Sequence, residues 1–175
     1  MSVLLIGVDA ELGAALIPRL IAQDDEVRVI EADENTAARW RSLGAHVAAG
    51  EITDSDLIER AAQGVRTLVL FEGAAAAVEP VVEGASLARV DRLVLCSSGP
   101  QDDAMASIRA SRIDYVVLRT GVGRRRLWGG RNQALSHEVV AEAIDAADDL
   151  AGKPKLDLDL RQPASWRQLG LVAPP

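Results

Sequence analysis

The stretch Gly7-Val8-Asp9-Ala10-Glu11-Leu12-Gly13 sets two glycines around a short turn, directly after a branched apolar run and directly before a helical pattern. A strand-turn-helix of this kind aims backbone N–H groups and the positive end of the helix dipole at one place, here Leu12 to Ala15, which suits an anion. Asp9 and Glu11 put carboxylates in the same turn. Each would repel a diphosphate by something on the order of 1 kcal/mol if it faced one at partial exposure. Ala10 adds a methyl where close backbone approach is wanted. Glu31, Glu51 and Glu72 stand at or just after the ends of further apolar runs, so up to four carboxylates, with Asp9, could ring one pocket. A cationic ligand or a metal would be drawn to them, but no ligand spacing specifies one. Ser97-Ser98 ends another apolar run. Without a base beside it, a serine is only a hydrogen-bond donor.

Other reactive types weigh less. The one tyrosine, Tyr115, lies four residues before Arg119 in a strand-like run, where roughly 13 Å separates two such positions. Arg124-Arg125-Arg126, with Trp128 and Arg131, forms the one concentrated positive patch and could clamp an anionic group or an acidic partner surface; a solvated loop is the plainer reading. His46 and His137 have no Ser/Asp set near them and read as structural or exposed, and Cys96 reads as an inert core thiol.

The elements that must position these groups alternate. Short branched runs at 3–6, 26–31, 46–49, 67–71, 92–97, 114–119 and 155–160 read as strands, and periodic patterns at 12–23, 35–43, 54–63, 74–89, 102–110 and 136–149 as helices. Gly44 and Gly64 stand where helices should end, Thr53 and Asp54 where one should start. Pro80 and Gly84 should kink or shorten the helix over 74–89. Strands without inside/outside alternation belong in a parallel sheet covered on both faces, and right-handed crossovers then give an α/β, doubly wound fold with a mostly parallel sheet of about seven strands. Leu156, Leu158 and Leu160 alternate with Asp157 and Asp159, which predicts an edge strand with one wet face. Residues 1–175 read as a single domain, a core over 1–121 and a reduced C-terminal part over 122–175, with a Gly/Arg loop at 123–132 and a tail packed by Trp166 and Leu169 alone.

Composition narrows the function classes. At 175 residues and 49% apolar, the chain can close a core as one domain. A net charge of −7 opposes a nucleic-acid partner. Three tryptophans, one tyrosine and one phenylalanine are few for a base-stacking surface. The single cysteine leaves no disulfide or cysteine metal cluster and points to a reducing, cytoplasmic setting. No basic leader and no uninterrupted apolar span appear, so no membrane association is expected.

Taken in order, these stretches resemble the extended and atypical short-chain dehydrogenase/reductase superfamily, NmrA-like proteins included. Gly7 to Gly13 is similar to its G-x-x-G-x-x-G turn, with Ala10 in place of the middle glycine. Gly50-Glu51-Ile52-Thr53-Asp54 is similar to G-D-x-T-D, Leu93 to Gly99 to F-V-x-x-S-S-x-G, and Asp114 to Gly121 to D-x-x-x-L-R-P-G. The resemblance implies a Rossmann-like, NAD(P)-binding domain. It implies cofactor contacts at Gly7, Asp9, Ala10, Glu11, Leu12, Gly13, Glu31, Glu51, Ile52, Phe71, Gly73 and Ser97, and substrate contacts at Ser98 and Arg124. Glu31 would hold the adenosine ribose hydroxyls and reject a 2′-phosphate, favouring NAD over NADP if a dinucleotide binds at all. The superfamily's Tyr-x-x-x-Lys proton relay has no counterpart, because the only lysines are Lys153 and Lys155 and the segment 100–112 is short. No catalytic residue is expected.

Two functions follow. One is an NAD(P)-binding protein related to atypical dehydrogenases and epimerases, with weak or no dehydrogenase turnover. The other is a non-catalytic sensor or partner-binding module, NmrA-like, that has lost dinucleotide binding. A small-molecule or protein partner fits either, as does a homodimer paired through helices.

Overall fold

The computed structural model describes residues 2–98, 102–121, 135–152 and 154–174. In chain order the elements are β1 (Ser2–Ile6), α1 (Ala10–Ile21), β2 (Glu26–Glu31), α2 (Glu34–Ser42), β3 (His46–Ala49), α3 (Ser55–Ala62) and β4 (Thr67–Phe71). A 3₁₀ helix (Glu72–Ala77) leads into α4 (Val78–Leu87), then β5 (Arg92–Ser97), α5 (Asp102–Ala110), β6 (Asp114–Arg119), α6 (His137–Asp149), β7 (Lys155–Asp159) and α7 (Pro163–Gln168). The strands form one seven-stranded parallel sheet in the order β3-β2-β1-β4-β5-β6-β7. This is the doubly wound arrangement that the strand composition predicts.

Both sheet faces are dry in the middle, which is why the central strands show no polar alternation. On one face Val3, Leu5, Val69, Val94 and Val116 pack under α1, α2 and α6 with Leu16, Trp40 and Ile144. On the other, Leu4, Ile6, Leu68, Leu70 and Leu93 pack under α3, α4 and α5 with Ile58, Val81 and Ile108. Aspartates start the helices of the first half: Asp33 accepts from the Thr36 N–H and Asp54 from the Leu57 N–H, as Asp9 does for α1.

The structure sharpens or corrects the sequence reading in three places. The helix over 74–89 is shortened, as expected: the chain leaves helical geometry near Ala74 and α4 begins only at Val78, which puts Pro80 in the first turn where no hydrogen bond is lost. Gly84 does not kink α4. It is a contact glycine, since a Cβ there would lie 2.8 Å from the Ile58 side chain and 2.9 Å from the Ser55 carbonyl on α3. The tail is held by more than Trp166 and Leu169: α7 forms there, the Trp166 indole donates to the Leu160 carbonyl at 2.6 Å, and Leu171 and Ala173 join the core.

β7 is the edge strand expected, with Leu158 buried and Asp157 turned to the Arg119 guanidinium. Among the described residues no helix is long and apolar enough to cross a membrane.

Candidate functional site

In an open α/β sheet a ligand cleft forms beyond the strand C-termini where the strand order reverses, which here is between β1 and β4. The register brings that edge level: Ile6 lies opposite Leu70, Phe71 opposite Cys96, and Ser97 opposite Arg119. The residues just beyond the strands therefore meet. Gly7, Glu72, Ser98 and Thr120 line one cavity of about 290 Å³ with Asp9, Leu12, Phe71, Cys96 and Ser97, and Leu135, His137 and Val140 close it from the start of α6.

Gly7 turns the chain with φ +76°, and a Cβ on it would meet the Ala74 Cβ at 2.7 Å. That is the use of the alanine run: it lets the 3₁₀ helix lie against the turn. Asp9 then caps α1. Its Oδ1 accepts from the Glu11 N–H at 3.0 Å and the Leu12 N–H at 2.9 Å. These are the donors that would otherwise face an anion, and a carboxylate of the same chain satisfies them. α1 consequently begins at Ala10, two residues before the periodic pattern becomes visible in the sequence.

Across the cavity, Glu72 Oε2 accepts from the Ser98 N–H at 2.9 Å, tying the end of β4 to the end of β5. The Thr120 N–H and hydroxyl both donate to the Ser97 carbonyl, at 2.8 and 3.3 Å. His137 Nδ1 lies 3.4 Å from a Glu11 carboxylate oxygen at the rim.

Of the residues named from sequence, Gly7, Asp9, Leu12, Phe71, Ser97 and Ser98 line this cavity, whereas Ala10, Glu11, Gly13, Glu31, Glu51 and Ile52 do not. Ala10 and Glu11 are exposed on the first turn of α1. Glu31 and Glu51 belong to the β2 and β3 side, so two carboxylates, Asp9 and Glu72, line the cavity rather than four. The Glu31 carboxylate accepts from the Asp33 N–H at 3.0 Å. Ile52 is half-buried against the second face's core, and Gly73 lies in the 3₁₀ helix. Arg124 and the rest of its arginine patch lie outside the described residues.

Gly13 is a packing glycine. A Cβ there would stand 2.5 Å from the Trp40 ring, and Trp40 is fully buried. Gly13→Ala is expected to cost about 2 kcal/mol in urea unfolding, because the overlap outweighs the helix propensity that alanine adds; a neutral or stabilising result would show that Trp40 has room to move.

Thr120, Leu135, His137 and Val140 were not among the sequence candidates. Only the fold brings them in: strand order sets Thr120, just after β6, beside Ser97, and α6 lies beside α1, which carries in His137, a residue the sequence reads as structural or exposed. Cys96 combines two roles. It is core-buried, as expected, and it forms part of the cavity floor. Burial pushes its thiol up to about 12, and the Asp9 and Glu72 carboxylates add to the rise. The native protein is therefore expected to resist a disulfide-exchange reagent at pH 8 and to react only on unfolding; rapid native labelling would contradict it. The unfolded thiol ionises from about pH 9 while the folded one does not, so this group's contribution to stability is complete below pH 9 and is lost between pH 9 and 12.

Among the described residues no group of three or more His, Cys, Asp or Glu side chains could hold a metal ion. Tyr115 packs half-buried against the second face's core, while Arg119 pairs with Asp157 through two hydrogen bonds of 2.6 and 2.7 Å.

No protein-family model and no curated protein sequence matches the chain. Solved structures match it closely in fold. ChuY, an anaerobillin reductase from Escherichia coli O157:H7, superposes with a TM-score of 0.72 at 17% identity over 91% of this chain and 96% of its own. A nucleoside-diphosphate-sugar epimerase from Staphylococcus aureus gives 0.72 at 16% identity over 91% of this chain and 70% of its own. A short-chain dehydrogenase/reductase from Veillonella parvula, in complex with NADP, gives 0.68 at 14% over 87% and 88%. The neighbours are Rossmann proteins of the atypical dehydrogenase and epimerase kind, and at these identities the likeness is one of fold.

Proposed function

We propose that the chain is a non-catalytic sensor or binding module on a dehydrogenase-type fold, using the cleft beyond β1 and β4 for a ligand other than a dinucleotide. One observation carries this reading: the Asp9 carboxylate occupies the Glu11 and Leu12 N–H groups at the α1 N-terminus. A diphosphate arriving there would have to displace it and then sit beside it. The cost is the loss of two charge-assisted hydrogen bonds and the repulsion of like charges. The residues present do not fit that group, and the proton relay that would make use of a nicotinamide is missing from the sequence.

Calorimetric titration with NAD, NADH, NADP and NADPH tests the reading. Dissociation constants no tighter than about millimolar are expected for all four, since uncompensated like charge at the turn opposes each equally. Micromolar affinity for any of them would overturn it.

A second reading has its own support: an NAD(P)-binding protein with weak or no turnover. Asp9 is exposed, so its side chain has room to swing away, and Glu31 stands at the end of β2 where an acid would meet an adenosine ribose. A Rossmann neighbour of this fold is in complex with NADP. On this reading Glu31 favours NAD over NADP, and NAD should bind more tightly than NADP in the same titration.

A further inference from the structure

The cavity has a chemistry of its own, apart from what it turns away. Its volume of about 290 Å³ lies at the small end of ligand cavities, which run to roughly 1,000 Å³, so it is large enough to take a small molecule. Its walls are mainly hydrophobic, with Leu12, Phe71, Cys96, Leu135 and Val140 around one space. Phe71 and Cys96 are buried and form the floor, where an apolar group would be shielded from water.

Charge enters this space from two sides and with one sign. Asp9 comes from the turn after β1 and Glu72 from the end of β4. Each uses one oxygen on a backbone N–H: Asp9 Oδ1 on Glu11 and Leu12, Glu72 Oε2 on Ser98. Those bonds orient both exposed carboxylates, and each keeps its second oxygen to accept from something else. Among the described lining residues there is no lysine or arginine, and the His137 imidazole lies beside Glu11, 3.4 Å from a carboxylate oxygen. A cavity with mainly apolar walls and two carboxylates at its opening complements an apolar body that carries a positive group.

We infer that the cavity binds a small organic cation, an aromatic or aliphatic group bearing an ammonium, with the apolar part on Phe71, Cys96 and Val140 and the ammonium between Asp9 and Glu72. The inference rests on the reading that a diphosphate is not the ligand of this turn. It adds the class of the ligand. The Cys96 thiol, raised first by burial, is raised further by the Asp9 and Glu72 carboxylates, which therefore both act on the floor of the cavity.

The test uses three probes of one shape and different charge, 2-phenylethylammonium, 2-phenylethanol and phenylacetate, titrated into the full chain by NMR. The ammonium should bind at least about tenfold more tightly than phenylacetate, with the alcohol between, and the gap should narrow as salt is added. In Asp9→Asn combined with Glu72→Gln the preference should shrink to about twofold, because the amides keep the hydrogen-bonding and capping roles without the charge. Val140→Trp, checked for folding by circular dichroism, should remove binding of all three by filling the space. Equal affinity for the three probes, no binding of any, or a preference that survives the double substitution would each overturn the inference. The dinucleotide titration is scored separately. Failure of all three probes with dinucleotide binding still weaker than millimolar would sink the cation alone, whereas tight dinucleotide binding would sink the reading beneath it.

Discussion

Asp9→Thr combined with Ala10→Gly is expected to tighten dinucleotide binding by about thirtyfold, equivalent to roughly 2 kcal/mol. Threonine keeps a capping oxygen at the start of α1, so the helix should survive the change. What disappears is the negative charge that now holds the Glu11 and Leu12 N–H groups at 3.0 and 2.9 Å. Removing one like charge from the side of a diphosphate is worth on the order of 1 kcal/mol, and freeing the N–H groups for a charge-assisted contact adds a similar amount. The glycine removes a methyl from the first residue of α1, where a phosphate would approach the backbone. Calorimetry on the variant and the parent, with unfolding curves to confirm that both are folded, gives the comparison. If affinity does not change, the turn is not where a dinucleotide would sit, and self-capping by Asp9 explains nothing about ligand choice.

The largest loss of stability is expected far from the cavity, at Arg92. This residue opens β5, is 7% exposed, and sends its guanidinium under the C-terminus of α6. It donates to the Ala147 carbonyl at 2.9 Å, to the Asp148 carbonyl, and to the Leu150 carbonyl at 2.6 Å. The last turn of a helix leaves carbonyls without helical partners, and here one side chain satisfies them in a place that water reaches poorly. Arg66 joins from the start of β4, donating to the Asp148 carbonyl and pairing with its carboxylate, both at 2.7 Å. Burial, and then the nearby Arg66, hold the Arg92 guanidinium below its ordinary value, while Asp148, Asp114 and Asp91 work the other way.

Methionine at 92 would fill much of the same volume with no donor. It should cost about 3 kcal/mol or more and lower the unfolding midpoint by roughly 10 °C, because the Ala147 and Leu150 carbonyls lose their donor together, while Asp148 keeps Arg66. Arg92→Lys should recover part of the loss, since one ammonium reaches fewer of those oxygens. A loss under about 1 kcal/mol for the methionine variant would mean that water satisfies the helix end. Because the opposite end of α6 carries His137 and Val140, hydrogen exchange there in the variant would show whether the clamp also steadies the cavity.

Much of the architecture is written locally. The branched runs, the aspartate before each early helix and the glycines after them depend on residues near one another in sequence, and the strand bounds from 26–31 through 114–119 agree with the structure. Over 74–89 the shortening was legible and its position was not: two opposed local signals overlapped, a helix-forming alanine run and a proline a few residues later, and the position of the break depended on what the run packs against.

The site divides in the same way. Gly7, Asp9, Leu12, Phe71, Ser97 and Ser98 were legible because each stands at a strand end or in the turn that follows, and strand order converts such positions into neighbours. Glu31 and Glu51 carry the same local signature, yet they lie on the β2 and β3 side, away from the cavity. Nothing near His137 or Val140 in the sequence marks them as cleft residues, because only the packing of α6 beside α1 puts them there. The amino-acid sequence determined which residues carry charge, which segments form strands and helices, and that no Tyr-x-x-x-Lys spacing occurs in it. Only the tertiary structure decided that Asp9 and Glu72, and not Glu31 and Glu51, reach one apolar space, because that depends on distances between atoms that long-range packing sets.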